Sequence, residues 1–210
     1  MKSKLFFLLA IMLIPTLLFA QKGKWLRKGL RTSDPQKMIE CFTKSIELED
    51  LDATAYYWRG YVYLITEQYD SAIADFSHSV EIEPLIDSYF YRGNAYAELE
   101  KYELAIADYT KVIEIDPKCS ETYFNRGIVY DDLENFDKAL ADYSKAIELN
   151  PKDADAYYNR GIIFFNIEEY ELAIEDFTKV IEIDPNNSSA SYNLEVANEY
   201  LMDYEMDEVY

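Results

Sequence analysis

Gly60, Gly93, Gly127 and Gly161 follow one another at intervals of 33, 34 and 34 residues, and Pro84, Pro117, Pro151 and Pro185 keep the same three intervals. Two independent markers in phase restrict the chain to a repeat architecture, in which each unit buries its apolar face against the next. The step from Pro84 to Gly93 is nine residues against ten in the later copies, so the missing residue shortens a connector and spares the helices. Within each unit apolar residues recur at three and four, stop at a polar break (LITEQYD, ELEKYE, DLENFD, NIEEYE), and then recur again. That is the pattern of two amphipathic helices. In the third unit it predicts a first helix over 122–133 and a second over 136–149. Asp70, Glu103, Asp137 and Glu171 fall at the start of the second helices, where the helix dipole favours acids. Each second helix stops before a proline, whose predecessor is biased out of helical geometry.

The recurring residues are Tyr56, Gly60, Tyr63, Ala72, Phe76 and Pro84; then Tyr89, Gly93, Tyr96, Ala105, Tyr109 and Pro117; then Tyr123, Gly127, Tyr130, Ala139, Tyr143 and Pro151; then Tyr157, Gly161, Phe164, Ala173, Phe177 and Pro185. With this set at this period, the stretch from Ala53 to Asn187 resembles the tetratricopeptide repeat family. The resemblance implies an all-α fold, a right-handed α-solenoid of stacked helix-turn-helix repeats closed by a C-terminal capping helix. The glycines are expected to let the second helix approach at Ala72, Ala105, Ala139 and Ala173. The expected organisation is a signal peptide at 1–20, a degenerate N-terminal repeat at 21–52, repeats at 53–85, 86–119, 120–153 and 154–187, a capping helix at 188–203, and an acidic tail at 204–210. In the degenerate repeat MIECFTKSIELED reads as a second helix, while its first helix has only Trp25 and Leu26 as anchors.

An arginine precedes every repeat glycine, and an aspartate stands sixteen residues after each arginine: Arg59 and Asp75, Arg92 and Asp108, Arg126 and Asp142, Arg160 and Asp176. The degenerate repeat has Cys41 at the aspartate position and no clear arginine. A guanidinium fork near a packed seam needs an acceptor. The four pairs therefore read as structural braces between the two helices of a unit.

Resemblance to the family also implies that the first helices line a concave face that binds a peptide or protein segment. The groove positions are Tyr57, Tyr61, Asp87, Phe90, Asn94, Glu121, Phe124, Ile128, Asp155, Tyr158 and Ile162, an aromatic floor with acidic edges. It suits a segment with apolar anchors and basic flanks. The same aromatics could instead serve only to pack neighbouring repeats. Some family members grip a terminal carboxylate with basic residues and asparagines; Asn94 and Asn125 match the asparagines, but Phe90, Asp155 and Asn159 stand at the basic positions.

A formal charge of −20, from 40 acidic and 20 basic side chains, argues against nucleic acid as a partner. MKSKLFFLLAIMLIPTLLFA has two lysines, an apolar run too short to span a bilayer, and Ala20 before a polar stretch. It reads as a secretory signal cleaved after Ala20, with export to a periplasm or beyond if the source is bacterial. Membrane contact is expected only if the segment is retained. Cys41 and Cys119 lie about two repeats apart and are expected to be free thiols. No phosphate-binding glycine loop, nucleophile elbow or metal-ligand spacing is found. His78 stands alone, and NPKDADA, with Asp153 and Asp155, lacks the glycine and glutamate of a calcium loop. Two overlapping glycosylation acceptors, Asn186 and Asn187, would matter only in a eukaryotic secretory host. The expectation is a non-enzymatic adaptor without cofactor, metal or small-molecule substrate; the alternative is a structural subunit of a membrane-associated envelope assembly.

Overall fold

A computed structural model describes residues 23–48 and 52–207, with side chains as far as Asp203. The expected signal peptide lies outside the described residues. A helical stretch over 23–29 (α1) is followed by α2 (Pro35–Leu48), α3 (Ala53–Ile65), α4 (Tyr69–Ile82), α5 (Ile86–Glu98) and α6 (Tyr102–Ile115). Then come α7 (Ser120–Asp132), α8 (Phe136–Leu149), α9 (Ala154–Asn166), α10 (Tyr170–Ile183) and α11 (Ser188–Asp207). The described residues contain no strand. They fall into two compact units that divide after Asp108, within α6.

In the N-terminal unit, Ala72, Phe76 and Ala95 form one buried cluster, with Tyr57, Tyr61, Leu64 and Tyr91 packed on it. Ile46, Ala55 and Tyr56 form a second, which Leu26 of α1 helps to cover. In the C-terminal unit the same arrangement recurs around Ala139, Tyr143 and Ile163, around Ala146, Ile147 and Ala156, and around Ala173, Phe177 and Ala197. Each cluster takes residues from more than one helix pair, so no pair completes its core alone.

At the repeat glycines the second helix comes close with an aromatic ring. Ala72, Ala105, Ala139 and Ala173 are fully buried, but an aromatic ring occupies the space over the glycine. A Cβ added at Gly127 would lie 2.8 Å from the Tyr143 ring, at Gly161 2.9 Å from Phe177, and at Gly60 3.1 Å from Phe76. The N-terminal repeat keeps this device: a Cβ on Gly29 would lie 2.5 Å from Phe42. There the glycine precedes its ring by thirteen residues rather than sixteen, because α1 ends at Gly29 itself whereas α3 runs five residues past Gly60.

Connectors follow two rules. Between the helices of a unit, Glu67, Glu100, Glu134 and Glu168 adopt φ of 55° to 65°. The amide that follows each, in Gln68, Lys101, Asn135 and Glu169, donates to the carbonyl of Tyr63, Tyr96, Tyr130 and Phe164 respectively, at 2.8–2.9 Å. This is the helix-ending motif that normally uses glycine at the left-handed position. A glutamate there bears a steric cost that glycine avoids. Glu134→Gly is therefore expected to raise stability by about 0.5–1 kcal/mol, measured as a higher thermal midpoint. Between units, Asp116, Asn150 and Asp184 each accept a hydrogen bond from the amide two residues on, across Pro117, Pro151 and Pro185, at 3.0–3.3 Å. Glu83 stands at this position before Pro84, in the connector that is one residue short.

Two helix limits differ from the sequence expectation. The helix expected at 122–133 runs from Ser120 to Asp132. The final helix continues to Asp207, past the expected end at 203, because no glycine or proline interrupts LMDYEMD. It closes the C-terminal unit with polar residues: Glu195 replaces the repeat glycine and Ser191 replaces Tyr157, and both are exposed.

Candidate functional site

The four arginines and their aspartates are brought together in one geometry. In each repeat the arginine Nε and one terminal nitrogen donate to the two carboxylate oxygens of the aspartate at 2.7–2.9 Å. The remaining terminal nitrogen donates to a hydroxyl on the second helix of the preceding pair. The acceptors are Thr43 for Arg59, Ser77 for Arg92, Thr110 for Arg126 and Ser144 for Arg160, at 2.9–3.0 Å. Aromatic rings three residues before and four after flank each guanidinium at 5.5–6.0 Å: Tyr56 and Tyr63, Tyr89 and Tyr96, Tyr123 and Tyr130, Tyr157 and Phe164. One side chain thus braces its own helix pair and ties it to the pair before.

Side chains of the arginines are 16–20% exposed and those of the aspartates 4–8%. For Arg59, Arg92 and Arg126 burial is the largest influence and opposes the charge, but the bonded aspartate outweighs it and raises the guanidinium pKa. For Arg160 the bond it donates to Asp176 is itself the largest influence, and the pKa is again raised. Each guanidinium thus has all three of its nitrogens engaged inside the fold.

The groove positions separate into three kinds. Asp87, Glu121 and Asp155, each the second residue of its helix, are exposed. Tyr57, Tyr61, Phe124, Ile128, Tyr158 and Ile162 are half-buried, and Asn94 is half-buried beside them in sequence. Phe90 is only 8% exposed and belongs to the core, so its side chain is removed from the groove set. Tyr57 lies 6.2 Å from the Phe76 ring, Phe124 5.9 Å from Tyr143, and Tyr158 5.9 Å from Phe177. The Tyr158 hydroxyl also accepts a bond from Asn193 of α11 at 3.0 Å. These aromatics therefore pack against the second helix of their own pair, and all three remain partly exposed.

Asp131 and Asp132, the last two residues of α7, add an electrostatic feature. Burial first, and then the neighbouring Asp132 charge, push the Asp131 carboxyl above the usual range. Two acids also oppose the negative end of the helix dipole. A raised native pKa favours the fold below the unfolded-state value, and that contribution is lost as pH rises through the native value. Asp131→Asn is thus expected to stabilise the fold by about 0.3–1 kcal/mol at pH 7, with the gain vanishing as pH falls below 3.8. Urea unfolding at the two pH values checks this.

His78 is exposed, 5.1 Å from the Tyr56 ring and 3.7 Å from Glu81. Cys41 and Cys119 are free thiols. Asp153 caps α9 by accepting from the Ala156 amide at 3.1 Å. Among the described residues no group of acids, histidines and cysteines could hold a metal, and no helix is long and apolar enough to cross a membrane.

No curated protein sequence matches the chain. Among solved structures, YrrB, described as a tetratricopeptide repeat protein with an unusual peptide-binding site, is 28% identical. It superposes with a TM-score of 0.68 over 75% of this chain and 82% of its own. MamA from Desulfovibrio magneticus RS-1 is 21% identical, with a TM-score of 0.72 over 82% of this chain and 96% of its own, a likeness of fold. A MamA RS-1 double mutant is 22% identical, with a TM-score of 0.72 over 83% and 96%. Models of the tetratricopeptide repeat match residues 41–74, 86–119, 120–153 and 154–187, together more than half of the sequence. The chain belongs to the tetratricopeptide repeat family.

Proposed function

We propose that the chain is an exported, non-enzymatic adaptor that binds a protein or peptide segment, with apolar anchors and basic flanks, along its first-helix faces. The observation that carries this is the pairing, on α7 and α9, of exposed acids with half-buried apolar side chains. Glu121 precedes Phe124 and Ile128, and Asp155 precedes Tyr158 and Ile162. Asp131 and Asp132 add negative charge at the end of α7, where it costs stability and favours a basic ligand. YrrB, with its peptide-binding site, supports a segment as the ligand. The function needs no cofactor, and an acidic chain is poorly suited to nucleic acid.

Selection of displayed random peptides on the protein tests this. Apolar residues flanked by lysine or arginine are expected to be enriched. Because Glu121 and Asp155 are exposed, a Glu121→Lys, Asp155→Lys variant should fold, and it should bind the selected peptides about tenfold or more weakly. Equal binding by parent and variant would exclude this face. Export rests on residues 1–20, and N-terminal sequencing of protein from fractionated cells checks it. A soluble form beginning at Gln21 is expected. Retention of Met1 in a membrane fraction would favour the structural-subunit alternative.

A further inference from the structure

The N-terminal unit carries a cluster of aromatic side chains that the braces do not use. Tyr57 and Tyr61 of α3 meet Tyr91 of α5, with Trp58 against the two α3 tyrosines, and all four are half-buried. Tyr61 stands edge-on to Trp58 at 6.0 Å and to Tyr91 at 5.1 Å, while Tyr57 stands edge-on to Trp58 at 5.0 Å. Tyr91 gives one face to Phe76, on which it stacks at 6.2 Å; an edge-on pair covers less of each ring face than a stacked one, and ring faces attract cations. Asp87 is exposed one helical turn before Tyr91, and its negative charge reaches Tyr57. The only basic residues of α3 and α5 are Arg59 and Arg92, both engaged with aspartates.

Inside the fold the chain holds every brace arginine between aromatic rings and against an aspartate. The half-buried cluster offers the same kinds of group, rings beside a carboxylate. At the corresponding positions the C-terminal unit has Asn125 and Asn159 for Trp58 and Tyr91, and Ile128 and Ile162 for Tyr61. We propose that Tyr57, Trp58, Tyr61, Tyr91 and Asp87 form a receptor for an arginine side chain of the bound segment. This rests on the peptide-binding reading above and goes further by naming the side chain and its place. A planar guanidinium fits better than an ammonium, since it can stack on a ring while its fork meets the carboxylate.

Sets of blocked heptapeptides with randomised flanks, carrying arginine, lysine or neutral citrulline at the centre, test the assignment by binding to the full chain. The arginine set is expected to bind about tenfold more tightly than the citrulline set. The preference should disappear in Asp87→Asn and shrink in Trp58→Leu, with circular dichroism confirming the fold. Equal binding of the arginine and citrulline sets would overturn the receptor and leave peptide binding standing. Lysine binding as well as arginine would overturn the guanidinium assignment. An arginine preference undiminished in both variants would overturn its location. Failure of every set to bind would remove the peptide-binding reading and the receptor together.

Discussion

Asp142→Ala is expected to destabilise the C-terminal unit by roughly 3–5 kcal/mol, because it strands a guanidinium that is only partly exposed. Arg126 would keep its bond to Thr110 and its two aromatic neighbours, but would lose both carboxylate bonds. The loss reflects an unpaired charge rather than a strongly favourable pair. The double replacement Arg126→Met, Asp142→Leu is accordingly expected to recover most of it. Thr110→Val removes only the tie to the preceding helix and should cost about 1 kcal/mol. Urea unfolding followed by circular dichroism orders the three variants. An Asp142→Ala loss below that of Thr110→Val would show that the brace is not held as described.

Gly127→Ala should lower stability by up to about 2 kcal/mol, although alanine is the better helix former. Its Cβ would sit 2.8 Å from two carbons of the Tyr143 ring, and that ring is fully buried. Overpacking of a filled core costs about 1–3 kcal/mol, against about 1 kcal/mol recovered in helix propensity. Gly60→Ala meets Phe76 at 3.1 Å and should lose less. Thermal midpoints of the two variants compare the sites. A stabilised Gly127→Ala protein would mean that the ring moves aside easily and that the glycine is not needed for packing.

The repeat was legible because two residue types with strong backbone consequences, glycine and proline, keep one period. The arginine-aspartate pairs were legible because both members recur at a fixed separation. Their third partner was harder to see: it alternates between threonine and serine, and for Arg92 its separation slips from 16 to 15. The slip reflects the residue missing before Gly93. Gly29 escaped for a related reason, since α1 ends at the glycine itself, which takes it out of phase with the ring it faces. Phe90 shows a limit of another kind, because phenylalanine serves equally as core or as anchor and only packing distinguishes the two. The glutamates at positive φ give no warning, since glutamate carries no preference for that conformation.

The aromatic cluster of α3 and α5 was partly visible as Tyr57 and Tyr61 in the expected groove. Trp58 and Tyr91 were not, because their counterparts in later repeats are asparagines and the recurring pattern hid them. Periodicity reveals what repeats share, whereas recognition uses what one repeat does differently.

Amide chemical-shift mapping of a selected peptide on the isotope-labelled protein tests the central claim most directly. Binding through the first-helix faces predicts perturbations concentrated on α7 and α9, weakened in the Glu121→Lys, Asp155→Lys variant. Perturbations concentrated on α4, α8 and α10, and unchanged in that variant, would contradict it.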